Sequence, residues 1–140
     1  MKKTRRIISF IFALLLGLSC STFASDPRAS LYINATHAAI NNTADGLEVN
    51  FTIIATGIMD ELGATTVYIK TASGTPAATF DYTDIGCENM MGSNDVTYSS
   101  EITFENPVPG MRYYAVVHFR AGDETGRDSA VYTTGLITAQ

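Results

Sequence analysis

Leu47-Glu48-Val49-Asn50-Phe51-Thr52-Ile53-Ile54-Ala55-Thr56 is the stretch that decides the fold. Leu47, Val49, Phe51, Ile53 and Ala55 alternate with Glu48, Asn50, Thr52 and Thr56, and Ile54 breaks the polar row. Side chains point alternately to the two sides of a strand, so this alternation makes one apolar face and one mostly wet face. On a helix the same apolar residues would scatter around the circumference and make no stripe.

The pattern recurs outward from this stretch. In Val96 to Glu105, the residues Val96, Tyr98, Ile102 and Phe104 share a face with Ser100. Thr97, Ser99, Glu101, Thr103 and Glu105 oppose them. Met111 to Ala121 carries Tyr113, Ala115, Val117 and Phe119 on one side. Its other side, Tyr114, Val116, His118 and Arg120, is less polar than an open surface, which places this strand centrally in its sheet or under partial cover. Shorter runs fill the gaps: Leu31 to Ile40 with a kink near His37, Thr65 to Thr71, Ala78 to Tyr82, and Ser129 to Thr138.

The breaks carry turn chemistry. Ala44-Asp45-Gly46, Ser73-Gly74-Thr75-Pro76 and Asn106-Pro107-Val108-Pro109-Gly110 are reversal signals. Gly122-Asp123-Glu124-Thr125-Gly126 suits a hairpin loop with a left-handed glycine. Ile85 to Asp95 has no clean period and reads as a short helical turn or a wide loop. Seven strands at spacings of roughly 8–12 residues are the mark of an all-β chain. The expectation is a single seven-stranded antiparallel β-sandwich.

The first residues are set apart from this fold. Lys2, Lys3, Arg5 and Arg6 precede the apolar run Ile7 to Leu18, which falls short of the roughly 20 residues a bilayer span needs. Thr22-Phe23-Ala24 places small residues where a signal peptidase reads. The division is therefore a signal peptide at 1–24, cleaved near Ala24, and a β-sandwich domain at 25–140. An uncleaved anchor and lipid attachment at Cys20 are the alternatives; Gly17 stands where a lipid-attachment motif wants Leu. The expected location is secreted, extracellular or in the cell envelope, with no transmembrane segment in the mature chain.

Removing the signal changes the charge. Residues 25–140 keep five Lys+Arg against fourteen Asp+Glu, a net charge of −9. That acidity disfavours nucleic acid and anionic membranes as partners, since both need a basic surface. Cys87 is left without a partner once Cys20 departs, so the domain is held by packing, and Cys87 is either a free buried thiol or an intermolecular link.

Pro109-Gly110-Met111-Arg112-Tyr113 resembles the Pro-Gly-x-x-Tyr lead-in of fibronectin type III-like domains, a branch of the immunoglobulin-like sandwiches. Alternating Ala115, Val117 and Phe119 follow, then a Gly-rich loop, Ser129, and the Thr-rich Tyr132-Thr133-Thr134. The likeness spans Pro109 to Thr134; together with the signal, which looks bacterial, the expectation is a small secreted bacterial protein of this type. It implies that Tyr113 forms a tyrosine corner, its hydroxyl returning to upstream backbone. The chain has no Trp, and Phe51 is the residue available to replace the core Trp of the second strand. Phe51, Tyr113, Val117 and Phe119 are thus the expected structural residues.

The chemistry is sparse. His37 and His118 are the only histidines, and His118 falls on the outward side of its strand. No Gly-x-Ser-x-Gly nucleophile elbow is present, so no catalytic residue is assigned. Asp81 with Asp84, and Asp123 with Glu124 and Asp128, could gather as weak oxygen-ligand sites or simply be solvated loops. No cofactor and no metal are implied. Met90-Met91 with Ile58-Met59 reads as loop or core packing, or as an adaptable patch. The expected function is a non-enzymatic binding or interaction module for an extracellular protein or polysaccharide. Its contact residues are expected at the last hairpin: Asp123, Glu124 and Arg127. A structural subunit of a surface assembly and a small hydrolase using a carboxylate are the alternatives.

Overall fold

The computed structural model describes residues 30–140, so the expected signal and its cleavage point lie outside the described residues. The described residues are all-β. Nine strands follow in order among them: β1 (Ile33–Thr43), β2 (Gly46–Met59), β3 (Glu61–Thr71), β4 (Pro76–Asp81), β5 (Met91–Gly92), β6 (Asp95–Phe104), β7 (Arg112–Asp123), β8 (Gly126–Thr133) and β9 (Ile137–Thr138). One 3-10 turn, Glu88–Met90, lies just before β5. The strands form two antiparallel sheets. The smaller has the order β1-β2-β6; the larger has β4-β3-β7-β8, with β5 added on β3 and β9 on β7.

The sheets pack face to face, because the alternating apolar rows have nowhere else to go. Leu47, Val49, Phe51 and Ile53 from β2 meet Val67 and Ile69 from β3 and Tyr113, Ala115, Val117 and Phe119 from β7 in a single buried core. Phe51 and Phe119 meet edge-to-face across it, ring centroids 6.1 Å apart. Burying such a ring takes about 150–250 Å² of surface from water, so this pair is a large part of what holds the sheets together. Tyr113 packs edge-to-face on Phe104 at 5.8 Å, and its hydroxyl oxygen accepts the Val108 N–H at 2.9 Å. That bond ties the chain entering β7 back onto the strand.

Several expectations change. Seven strands become nine because β5 and β9 are two-residue pieces, too short to show a period. The expected last strand, Ser129 to Thr138, is split: buried Thr134 leaves the β8 ladder, its hydroxyl accepts the Ala115 N–H at 2.9 Å, and β9 then pairs with the start of β7. β3 starts at Glu61 rather than Thr65; a register shift between Ala64 and Thr66 flips the alternation and hides the continuity. The irregularity in β1 lies between Ile33 and Ala35, not at His37. Val96 is 39% exposed rather than inward, because the ladder between β2 and β6 shifts between Ile54 and Met59.

The last hairpin also differs. Asp123 pairs with Gly126, so the turn is only Glu124-Thr125, and neither Gly122 nor Gly126 is left-handed. Both glycines serve close approach instead. A Cβ on Gly126 would stand 2.7 Å from the Tyr32 hydroxyl, and one on Gly122 would stand 2.7 Å from the Arg127 Cβ.

Candidate binding face

The hairpin residues Asp123, Glu124 and Arg127 do not converge on one site. Asp123 closes its own turn: Oδ1 accepts the Thr125 N–H at 2.7 Å, the Thr125 hydroxyl at 2.5 Å and the Gly126 N–H at 3.2 Å. The Thr125 hydroxyl, followed by these backbone donors, holds its carboxyl below the usual value. Glu124 is exposed at the tip. Arg127 belongs to a different surface, with Nη1 4.0 Å from Glu61 Oε2.

That surface is the outer face of the larger sheet. On β7 the two-residue period turns Arg112, Tyr114, Val116, His118 and Arg120 away from the core, while Tyr113, Ala115, Val117 and Phe119 are buried. The register brings Lys70 of β3 beside Tyr114, Tyr68 beside Val116, and Thr66 beside His118. From the other side it brings Thr133 beside Val116, Val131 beside His118 and Arg127 beside Gly122. The result is a field of aromatic and apolar side chains with Lys70 and Arg112 toward one end, and Arg120 and Arg127 toward the other beside the carboxylates of Glu61 and Asp81.

Its members touch. His118 meets Tyr68 edge-to-face at 5.3 Å, and Lys70 Nζ lies 5.8 Å from the Tyr68 ring centre. The Arg120 guanidinium lies 5.8 Å over the Tyr82 ring and donates to the Tyr82 hydroxyl at 3.5 Å. Arg120 and Arg127 share Glu61, at 3.9 and 4.0 Å. Among the described residues, neither Lys70 nor Arg112 has a carboxylate within salt-bridge reach. Arg112 and Arg120 are eight residues apart on one strand, or about 26 Å at the usual rise.

The carboxylate clusters considered in the sequence are bound into the backbone. Asp81 Oδ1 accepts the Thr83 N–H at 3.0 Å and the Thr83 hydroxyl at 2.7 Å, and Asp84 Oδ2 accepts the Asp81 N–H at 3.1 Å. Thr83 is the main reason the Asp81 carboxyl lies below its usual value. Asp128 Oδ2 accepts the Ser30 hydroxyl at 2.6 Å, the Leu31 N–H at 2.7 Å and the Tyr32 N–H at 3.1 Å. Those bonds, the Ser30 hydroxyl first, lower the Asp128 carboxyl. Thr56 completes the clasp from the other sheet, its hydroxyl donating to the Leu31 carbonyl and its N–H to the Tyr32 carbonyl. Among the described residues no group of three His, Cys, Asp or Glu is placed to hold a metal.

An open cleft of about 620 Å³ lies on the opposite edge. Phe80, Ile85, Cys87 and Asn89 line one side and β6, from Glu101 through Phe104, the other. Asn89 donates to the Glu101 carbonyl at 3.2 Å, and Tyr98 donates to the Asn89 carbonyl at 2.6 Å, so the loop straps across the β6 edge. A Cβ on Gly63 would collide with the Met90 carbonyl, which is why this position takes glycine. Cys87 is a free thiol and buried; burial first, then the carboxylates of Asp84, Glu88 and Asp81, push it upward and keep it protonated. Met59 and Met90 are core residues, while Ile58 and Ile85 are exposed.

The outer face of the larger sheet was only half visible in the sequence. The low polarity of Tyr114, Val116, His118 and Arg120 marks it, but Lys70, Tyr68 and Arg127 join it through strand pairing, which no local pattern shows. No family model, no curated protein and no solved structure matches this chain. Among the described residues, no helix is long and apolar enough to cross a membrane.

Proposed function

We propose that this chain is a secreted, non-enzymatic binding module of fibronectin type III-like architecture, whose contact surface is the outer face of the larger sheet and whose partner is anionic. One observation carries the reading. The described residues contain four Lys or Arg and thirteen Asp or Glu, and all four cations, Lys70, Arg112, Arg120 and Arg127, share that single face. A chance scatter of so few cations over an acidic domain would not collect them around an aromatic field. Tyrosine and arginine are the side chains that contact surfaces favour, and half-buried rings lose little conformational freedom on binding.

The architectural part is supported by the seven longer strands, arranged as three against four, and by the Tyr113 hydroxyl at the backbone of Val108. Export is supported by the n-region, apolar run and Thr22-Phe23-Ala24 of the sequence. The test is retention of the purified protein on a carboxylated polymer, against a neutral polymer of the same backbone. Retention should need the anionic groups, weaken in Lys70→Gln/Arg112→Gln, and fall with salt. Equal behaviour on both polymers, or an unaffected double variant, refutes the reading.

A further inference from the structure

The smaller sheet presents the complement of the proposed binding face on the same molecule. Its strands β1, β2 and β6 contain no Lys or Arg. Its outer row carries Glu48, Asn50, Thr52 and Ile54 on β2, with Thr103, Glu101, Ser99 and Thr97 opposite them on β6. Thr52 and Ser99 hydroxyls bond each other at 2.8 Å, and no aromatic ring stands in this row. The surface therefore carries mostly small polar side chains beside Ile54, with exposed His37 of β1 opposite Thr52, and Glu48 and Glu101 together at one end.

The charge complementarity lies at one end of the face. Glu48 pairs with Thr103 and lies near Glu101, so two carboxylates stand together there. At the other end of β6 Asp95 pairs with buried Met59, and its Oδ1 accepts the Val96 N–H at 2.7 Å and the Thr97 N–H at 3.3 Å. The central parts match as well: half-buried Tyr68, Tyr114 and Val116 on one face, small hydroxyl side chains and the partly exposed Ile54 on the other.

We infer that the anionic partner is a second copy of this chain, stacked head to tail, the outer face of the larger sheet on the outer face of the smaller. The inference rests on the larger sheet's outer face being the contact surface. Lys70 and Arg112, which have no carboxylate within reach among the described residues, meet the paired Glu48 and Glu101 of the next copy. Arg120 and Arg127 already share Glu61 within their own copy. Two different faces are used, so each copy leaves one face free and the association is open-ended rather than a closed dimer.

Magnitudes set its strength. Three strands about 4.8 Å apart over about 26 Å give on the order of 400 Å² per partner, about half of what a stable complex buries. The contact is weak between free molecules and suits a crowded surface. The acidic net charge opposes approach at long range, but at physiological salt charges are screened beyond about 8 Å, leaving the facing pairs in contact to decide.

The experiment is sedimentation of the purified protein over a concentration series. At about 0.15 M ionic strength the weight-average mass should rise steadily with concentration, and at about 1 M, where screening acts within roughly 3 Å, it should return to one chain. Lys70→Glu/Arg112→Glu sets carboxylates against Glu48 and Glu101 and should stay monomeric; Glu48→Lys/Glu101→Lys sets ammonium groups against Lys70 and Arg112 and should also stay monomeric. Mixed, the two should associate, which a folding defect in either would prevent. Circular dichroism of each variant confirms the β fold before mixing. A wild type monomeric at every concentration at about 0.15 M ionic strength, or variants that associate alone as wild type does, overturns the stacking. If that monomer is still retained by the carboxylated polymer through Lys70 and Arg112, stacking fails and the binding face stands; if it is not retained, both fail.

Discussion

The two sheets share one construction on their inner sides and diverge on their outer sides. Inside, both present alternating apolar rows that are almost fully buried, β2 against β3 and β7. Outside, β7 and β3 show Tyr114, Val116, His118 and Tyr68 between cations, whereas β2 and β6 show hydroxyls, amides and carboxylates without a single Lys or Arg. The inner rows answer to packing, where a lost methylene is felt at once. The outer rows answer to little but solubility, so a strong asymmetry there is informative about contacts made outside the molecule.

The largest expected effect strikes what the two sheets share. Phe51→Ala opens the core opposite Phe119 and should cost about 3–5 kcal/mol, read as a lower denaturation midpoint. A variant as stable as the wild type would remove Phe51 from the joint core and leave the sheets held by something else.

Tyr113→Phe tests one end of the larger sheet alone. The ring stays buried and only the hydroxyl that accepts the Val108 N–H is lost, so the expected loss is about 0.5–1.5 kcal/mol with the fold intact. An unchanged midpoint would mean that water serves Val108 equally well and that the lead-in is held by the backbone bonds between Gly110, Met111 and Ala139.

The outer rows should be nearly silent in stability. Lys70→Gln/Arg112→Gln should leave the midpoint within about ±0.5 kcal/mol while reducing retention on the carboxylated polymer. A clear loss of stability would make these cations structural and weaken the contrast between the two faces.

The smallest global effect concerns the clasp at Asp128, which joins the start of the described chain to β8. Its carboxyl is held below the usual value of about 3.9, so the ionised form is the one the native contacts favour. The contribution is present above that value and is lost as pH falls through the lower native one. The Leu31 and Tyr32 amide signals should therefore titrate with a midpoint below that of an ordinary aspartate. Asp128→Ala, which removes the acceptor, should show the released signals at every pH. Titration of those signals at or above the usual carboxylate value would mean that Asp128 is not what holds the segment.

Much of the fold was legible because it follows from a local period. Leu47, Val49, Phe51 and Ile53, and later Tyr113, Val117 and Phe119, are read inward from their alternation and are buried. The reading slipped where the period is interrupted: at the Ala64/Thr66 shift, at Thr134, and at Val96 beyond the regular ladder. The hairpin residues Asp123, Glu124 and Arg127 looked like one charged loop, but Asp123 is committed to its own turn and Arg127 faces Glu61. Nothing in the loop composition distinguishes a carboxylate that accepts from its neighbours' N–H groups from one that is free.

The amino-acid order by itself determined that the chain is all-β, where most strands lie and which side of each is apolar, because side-chain direction in a strand depends only on residue parity. Tertiary structure alone decided which strands are neighbours. Arg112 and Arg120 share a side of β7 by parity alone, but Lys70 and Arg127 join them only when β3, β7 and β8 pair in this register. A shift of one residue would turn each outer row inward, so the core that fixes the register also fixes where the cations stand.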